Sequence, residues 1–418
     1  MKVSQLATNL IGSEIIKIGN EVNELKAAGA EITNLTIGDL NSDIYPIPEQ
    51  LRAGIKSGYD KNLTNYPPAN GLLSLRKALA NDLKNRWNLE YSPEEILIAG
   101  GSRPLIYAVY KTIVDEGEKV VYPIPSWNNN HYAYLSSAQK VEVETRAENR
   151  FLPTAEELKP HLKDAVLLSL CSPLNPTGTM FGQQQLSEIC EMVIEENKSR
   201  AEGEKPLYIM YDQIYSLLTF DGEEHFHPVG LYPELRDYTI YVDGISKCLA
   251  ATGVRVGWSF GPKPVIDYMK SLLGHIGAWA PKAEQQATAD FWSEHTEVNQ
   301  FVDNFKNQMA ANLRILHQGF QNLKEKGFPV DSIQPMGALY LTVKMDFNGK
   351  KKPDGSTIEN SSDLVFYLIN DAGAAFVPFS AFGNSKGMPY FRASAGGVSK
   401  EEIEAMFPRL EAALEKLV

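Results

Sequence analysis

Cysteine is scarce in this chain, and long hydrophobic runs are missing from it. Only three cysteines occur in 418 residues, and their wide spacing argues against a disulfide framework or a zinc site. No run of about 18 uncharged apolar residues occurs, and the N-terminus lacks the apolar core of a signal peptide. The sequence therefore predicts a cytoplasmic protein without a metal site.

Positive charge is also in deficit. The chain has 40 Lys and Arg against 52 Asp and Glu, a formal net charge of -12. Such a surface repels phosphate backbones and anionic lipids, so we expect neither nucleic acid nor a membrane as the main partner. Its length and 43% hydrophobic content are enough for a large core and favour two domains, or one domain with an appendage.

Short β-branched strands alternate with helical stretches from about residue 95 to residue 261. The strand candidates are EILIAGG, KVVYPIP, QKVEVETR, AVLLSLCSP, LYIMYDQIY, TIYVDG and VGWSFG. This alternation predicts an α/β fold with a mostly parallel sheet covered by helices on both faces. Ligands of such sheets bind at the carboxyl ends of the strands.

The pattern of predicted secondary structure changes after roughly residue 300. There a long helix is followed by the strand candidate GALYLTVKM, another helix and the short strand candidates AAFVPF and YFRASA. This order indicates a smaller α+β domain. We predict a large domain over residues 46–300 and a small domain that combines residues 1–45 with residues 301–418.

Several strand candidates are followed directly by polar residues. GGS, with Ser102, precedes a helix whose N-terminus suits a phosphate group. Two prolines flank Asn175 in SPLNPTG and restrict its backbone. Asp212 ends a buried strand, where a carboxylate needs a cation or donors, and Tyr215 follows it. Lys247 lies in a turn after TIYVDG.

A ligand with a phosphate, an aldehyde that reacts with a lysine and a pyridine nitrogen that needs a carboxylate would use all of these groups. That ligand is pyridoxal 5'-phosphate. The chain resembles the class I/II aminotransferases, which are fold type I pyridoxal-phosphate enzymes. The run GISKCLAATGVRVG at residues 244–257 matches the lysine-attachment pattern of that family, and the supporting motifs occur in the same order over nearly the whole chain.

The resemblance implies the following roles at the cofactor ring. Lys247 forms the internal aldimine and later moves the proton from the substrate Cα to C4'. Asp212 pairs with the protonated pyridine nitrogen, which keeps the ring an electron sink. Asn175 and Tyr215 donate hydrogen bonds to the phenolic oxygen of the ring. Trp127 stacks on its face.

Further residues are implied to bind the phosphate and the substrate. The phosphate group is assigned to Gly101, Ser102, Ser246 and Arg255, and Arg103 is also assigned to the cofactor. Tyr66 matches the position from which the partner subunit reaches the phosphate, which implies a homodimer with shared active sites. The substrate carboxylate is assigned to Arg392 and Gly38, with Trp127 and Asn175 also close to the substrate. Tyr340, in GALYL, lies on a substrate-facing strand.

Three positions depart from the family pattern. Gly244 stands where a phosphate-binding serine is common. Ser102 followed by Arg103 stands where some aspartate-specific members have a lysine. Gln213 replaces the glutamate of the usual DE.Y motif. The first two departures bear on phosphate binding and on recognition of an acidic substrate side chain.

The expected activity is transamination between an α-amino acid and a 2-oxo acid through a pyridoxamine intermediate. A C–S β-lyase, a decarboxylase or a cyclopropane-forming synthase would share most of these residues, although Arg392 disfavours loss of the carboxylate. A non-catalytic binding module, such as the effector half of a transcription regulator, would need a DNA-binding extension. No basic helix-turn-helix segment occurs before residue 30.

Overall fold

The computed structural model describes residues 2–10 and 14–418. Residues 1 and 11–13 of the predicted N-terminal segment lie outside the described residues. Within this part of the chain, no helix has an apolar stretch long enough to cross a bilayer.

The α-helices, in chain order, are α1 Gln5–Asn9, α2 Glu14–Ala27, α3 Glu49–Asp60, α4 Leu73–Trp87, α5 Ser102–Ile113, α6 Asn129–Leu135, α7 Ala155–Leu162, α8 Gln183–Ser199, α9 Pro228–Leu231, α10 Ile245–Cys248, α11 Lys263–His275, α12 Lys282–Ser293, α13 His295–Glu325, α14 Ser361–Ala372 and α15 Lys400–Leu414. Short 3-10 helices cover Pro93–Glu95, Ala147–Asn149, Pro233–Tyr238 and Phe379–Phe382.

The strands are β1 Thr33–Asn34, β2 Ile96–Ala99, β3 Lys119–Ile124, β4 Gln139–Glu144, β5 Ala165–Cys171, β6 Tyr208–Asp212, β7 Thr239–Gly244, β8 Gly257–Phe260, β9 Val330–Ser332, β10 Tyr340–Met345, β11 Ala374–Ala375, β12 Val377–Pro378 and β13 Tyr390–Ser394. β1 pairs with β11 in a short parallel ribbon.

All seven strand candidates between residues 95 and 261 form one sheet, in the order β2-β8-β7-β6-β5-β3-β4. Only β8 runs antiparallel to its neighbours. The predicted α/β fold with a mostly parallel sheet is confirmed.

Both faces of this sheet are covered because successive side chains of a strand point to opposite sides. On β6, for example, Tyr211 faces a core shared with helices α4, α8 and α12, whereas Met210 faces a core shared with α5 and α11. β7 is buried along its whole length, as is typical of a central strand covered by helices on both faces.

A four-stranded antiparallel sheet, ordered β12-β13-β10-β9, has a separate core. Helices α13, α14 and α15 pack into this core, as do Ile18 and Val22 of α2. The N-terminal segment thus lies with the C-terminal part of the chain. The domain boundaries themselves stay a prediction.

The SPLNPTG loop, which follows β5 of the larger sheet, is hydrogen-bonded to β10 of the smaller sheet and to the segment just before it. The hydroxyl of Thr342 on β10 donates a hydrogen bond to the carbonyl of Thr177 at 2.9 Å. The carbonyl of Gly178 accepts from the backbone N–H groups of Met336 and Gly337 at 2.9 and 3.0 Å. This loop therefore holds β10 against the end of β5.

Gly178 tests this connection. Its φ is +71°, and an added Cβ would overlap the carbonyl oxygen of Tyr340, whereas Gly117, at φ +82°, has open space around the same position. We expect Gly117→Ala to cost about 1–2 kcal/mol for the left-handed backbone alone. Gly178→Ala should cost about 1–3 kcal/mol more because the backbone of β10 must shift.

The measurement is the free energy of unfolding of both cofactor-free variants in urea. Equal losses would show that the SPLNPTG loop and β10 are not tightly packed.

Candidate active site

A cleft of about 1040 Å³ opens at the carboxyl ends of the parallel strands. The seven-stranded sheet contributes residues that follow β2, β3, β5, β6 and β7, and the smaller sheet contributes residues of β10 and β13. The residues predicted from the sequence that line it are Gly38, Ser102, Arg103, Trp127, Asn175, Asp212, Tyr215, Ser246, Lys247, Arg255 and Arg392. The fold thus brings together residues up to 354 positions apart, counted from Gly38 to Arg392 (392 − 38).

Lys247 lies in the short helix α10, directly after β7, and its Nζ donates to the carbonyl oxygen of Gly38 at 2.7 Å. Burial lowers the pKa of the Lys247 amine to about 8, and the neighbouring Asp39 carboxylate offsets part of this effect. Arg392, Arg103 and Arg255 lower it further. A large fraction of this amine is therefore neutral near pH 8, as a nucleophile requires.

Asp212 is the carboxylate at the end of β6. Its Oδ1 accepts a hydrogen bond from the backbone N–H of Ile214 at 3.1 Å. Burial raises the pKa of Asp212 to about 6, and this bond and the charge of Lys247 counteract only part of that rise. A cation beside Asp212 would stabilise its ionised form, which suits the protonated nitrogen of a pyridine ring.

Arg255 lies beside the N-terminus of α5 and donates to the carbonyls of Thr252 and Gly100, both at 2.8 Å. Gly101 precedes α5 with φ +91°, and an added Cβ would overlap the Arg255 guanidinium. The N–H of Gly101 donates to the carbonyl of Ala99 at 2.7 Å. Gly101 therefore contributes space at this helix terminus, and Ser102 and Arg255 contribute the polar groups.

The glycine at position 244 has a packing cause. A Cβ there would lie 2.9 Å from both Gly257 Cα and the carbonyl oxygen of Val256. Both are backbone atoms of the neighbouring antiparallel segment, so a serine would force the backbone apart. The departure from the family pattern thus reflects close packing between β7 and β8.

Arg392 is buried on β13. Its Nη1 donates to Asn175 Oδ1 at 3.0 Å and its Nη2 to the carbonyl of Thr36 at 2.6 Å. An added Cβ on Gly38 would be 3.5 Å from Arg392 Nη1, so the Gly38 backbone lies close to this guanidinium. The two residues assigned to the substrate carboxylate therefore lie side by side.

Tyr66 lies apart from the cleft. Its side chain is 80% exposed, and its ring packs edge-on against Trp279 at a centroid distance of 5.1 Å. Trp127, by contrast, lies in the cleft, with the Arg103 guanidinium 4.7 Å from its ring centroid.

Sequence reasoning missed Asp39 as a residue of the cleft. It follows Gly38 in the loop after β1, and its carboxylate acts on the Lys247 amine. An acidic residue next to a glycine in a loop is ordinary turn composition, so nothing in the sequence distinguished Asp39.

Over residues 30–410 the sequence matches the family model described as aminotransferase class I and II. The chain belongs to this family.

Curated relatives in this family cover nearly the whole chain. The aspartate aminotransferase of Bacillus sp. (strain YM-2) is 27% identical over 94% of this chain and 95% of its own length. The probable aspartate/prephenate aminotransferase of Rickettsia felis is 28% identical over 98% of this chain and 96% of its own length.

Solved structures agree on the fold. The aspartate aminotransferase from Rhizobium meliloti superposes with a TM-score of 0.90 at 24% identity and covers 100% of both chains. The aromatic aminotransferase from Pyrococcus horikoshii superposes with a TM-score of 0.82 at 25% identity, over 94% of this chain and 98% of its own. The predicted family, fold and enzyme class are confirmed: the chain is a pyridoxal-phosphate-dependent aminotransferase.

The donor set of the cleft fits pyridoxal 5'-phosphate. A partly neutral buried amine, a buried carboxyl whose raised pKa calls for a cation, and a helix terminus with a guanidinium match its aldehyde, pyridine nitrogen and phosphate. The assignment of individual residues to these groups stays a prediction.

The pKa of Lys247 leads to a test on the cofactor-free protein. The rate at which pyridoxal 5'-phosphate attaches should rise with pH and level off above a midpoint near 8, because only the neutral amine reacts. Absorbance at a series of pH values measures this rate, and a simple lysine derivative in solution corrects for titration of the cofactor. A rate that climbs toward pH 10 would contradict the low pKa, and Lys247→Ala should abolish attachment.

Proposed function

We propose that this aminotransferase takes an acidic α-amino acid, of the aspartate class, as donor and a 2-oxo acid as acceptor. The observation that carries this proposal is Arg103. Its guanidinium lies in the cleft over the Trp127 ring, with no carboxylate bound to it among the described residues. The names of the relatives, aspartate and aspartate/prephenate aminotransferase, point to the same substrate class.

Two guanidinium groups in one cleft suit a dicarboxylate. Arg392 orients the α-carboxylate in a forked geometry, and Arg103 binds the second carboxylate. The alternative is the role predicted for Arg103 from the sequence, binding of the cofactor, whose phosphate is the anionic group a guanidinium would contact. Binding of the substrate carboxylate and binding of the cofactor phosphate would both occupy the Arg103 guanidinium, so an experiment must distinguish these two roles.

The bound cofactor supplies an electron sink for the electrons of the substrate Cα–H bond. Lys247 would hold the cofactor through its amine and would then be the base that moves the proton of the substrate α-carbon. An amine pKa of about 8 suits a base that works near neutral pH. Asp212 would hold the pyridine nitrogen and favour its protonated form, and Asn175 and Tyr215 would bind the ring oxygen.

Transamination and β-elimination differ in what they release. With a donor amino acid and no acceptor, an aminotransferase stops after one 2-oxo acid per active site. Continuous formation of pyruvate and ammonia would instead identify a lyase. We expect a single turnover with aspartate and glutamate, measured as 2-oxo acid released per site over a panel of amino acids.

The same panel tests Arg103. Arg103→Gln should lower kcat/KM for aspartate by about 10- to 100-fold, the effect of one charge-assisted hydrogen bond, and leave alanine nearly unchanged. Arg103→Lys keeps the charge and should retain part of the preference. Equal losses for both donors, with weaker cofactor binding, would assign Arg103 to the phosphate. A wild-type preference for aromatic donors would contradict the acidic class.

We infer in addition that the protein works as a homodimer with shared active sites. Tyr66 is exposed and does not line the cleft of its own chain, although the family pattern assigns it to a phosphate. Its loop is held in place by the Trp279 ring and by a 2.7 Å hydrogen bond from Lys282 Nζ to Asn65. A fixed, exposed phenol is suited to reach a second subunit.

Subunit mixing tests the shared site. Tyr66→Ala should weaken cofactor binding about tenfold, and Lys247→Ala should be inactive. In a hybrid dimer, the subunit that keeps Lys247 receives Tyr66 from the other, so an equal mixture should recover roughly a quarter of the wild-type sites. A mixture no better than the mean of the two variants would contradict a shared site.

A cytoplasmic location is likewise a proposal. The free thiols of Cys171, Cys190 and Cys248 support a reducing compartment, and cell fractionation is the check.

A further inference from the structure

Tyr340 contacts both Tyr215 and Arg392, two cleft residues that are assigned to different ligands. Its hydroxyl lies 2.7 Å from the hydroxyl of Tyr215, which is assigned to the cofactor ring oxygen. The guanidinium of Arg392, assigned to the substrate carboxylate, lies 4.7 Å from the Tyr340 ring centroid. All three side chains are buried. No other described residue bonds to the Tyr215 hydroxyl.

Strand register explains why Tyr340 and Arg392 meet. β10 and β13 are antiparallel, with Tyr340 opposite Ser394 and Thr342 opposite Arg392. Side chains two residues apart share a face, so Tyr340 and Arg392 are diagonal neighbours. The bond from Thr342 to the SPLNPTG loop then sets the distance of this pair from the sheet that carries Tyr215.

Counting protons gives the direction of the hydroxyl bond. A phenol donates one hydrogen bond. If Tyr215 donates its proton to the cofactor oxygen, the proton between the two tyrosines must come from Tyr340. Burial raises the pKa of Tyr340, and the charge of the adjacent Arg392 guanidinium offsets part of that rise, which favours this phenol as a donor.

We propose that Tyr340 is a positioning residue. Its hydroxyl donates a hydrogen bond to Tyr215, which directs the Tyr215 proton toward the cofactor, and its ring packs against the Arg392 guanidinium and fixes its position. One side chain of the smaller sheet thereby sets both the cofactor contact and the substrate contact. The proposal rests on the roles proposed above for Tyr215 and Arg392.

Two consequences follow for the loaded protein. Donation from Tyr340 polarises the Tyr215 hydroxyl and makes it a stronger donor, since hydrogen bonds in a chain reinforce one another. A stronger donor stabilises negative charge on the ring oxygen, which lowers the pH at which the bound cofactor loses its proton. The ring of Tyr340, through its π face, stabilises the position of Arg392 separately from this effect.

The first experiment removes only the hydroxyl. In Tyr340→Phe, the midpoint of the absorbance-against-pH titration of the bound cofactor should rise by about half a unit to one unit, a three- to tenfold change in the proton dissociation constant. Tyr215→Phe should raise the midpoint further. In Tyr215→Phe/Tyr340→Phe, the second substitution should add nothing, because Tyr340 acts through Tyr215.

The second experiment removes the ring. Tyr340→Leu should also weaken binding of an unreactive dicarboxylate, such as maleate, by about tenfold beyond Tyr340→Phe, because Arg392 loses its aromatic support. Crystal structures of both cofactor-free variants should show an intact fold, with Arg392 displaced only in Tyr340→Leu.

Tyr367→Phe is the matched control. Tyr367 lies in the same core and its hydroxyl donates to a backbone carbonyl at 2.7 Å, far from the cleft. It should lose stability as Tyr340→Phe does, without a change in the midpoint.

Two outcomes overturn the proposal in distinguishable ways. If Tyr215→Phe shifts the midpoint and Tyr340→Phe does not, Tyr340 does not position Tyr215, and the role of Tyr215 stands. If Tyr215→Phe leaves the midpoint unchanged, the role proposed for Tyr215 fails as well.

Discussion

The arrangement of the cleft depends on a buried amine. Lys247 is half-buried in the cleft, and three guanidinium groups act on its amine together with the carboxylates of Asp39 and Asp212. Burial of a lysine among cations is unfavourable for its charged form, so the amine is partly neutral where an exposed lysine would be protonated. The same cations leave the cleft rich in sites for anions. Burial is the larger cause of the lowered Lys247 pKa, and the guanidinium groups add to it while they suit the cleft to anionic groups.

Close backbone packing forms the frame around this amine. Gly244 and Gly257 face each other across β7 and β8, and Gly101 leaves space for Arg255 at the start of α5. In each case a Cβ would displace backbone or a cation of the cleft. The glycines near Lys247 are thus explained by contact between chain segments, which also accounts for the absence of a serine at position 244.

The smaller sheet is more than a cover for the larger one. β10 and β13 bring Tyr340 and Arg392 to the cleft, and both side chains contact groups held by the larger sheet: Tyr215 and Asn175. Movement of the smaller sheet would alter both contacts together, and with them the roles proposed for Arg392 and Tyr215. Such a linkage is a physical route by which substrate binding can influence the cofactor.

The sequence by itself determined the seven strands of the main sheet, because β-branched runs buried on both faces differ clearly from the helices between them. It also determined which residues follow the strand ends, since Lys247, Asp212 and Asn175 lie in short, distinctive motifs. Only the tertiary structure decided that Asp39 acts on Lys247 and that Tyr340 joins Tyr215 to Arg392. Tyr215 and Tyr340 are 125 positions apart, and Lys247 is 209 positions from Gly38, the neighbour of Asp39 to which it donates a hydrogen bond. No local pattern encodes such distances, because they arise from the packing of one sheet against the other.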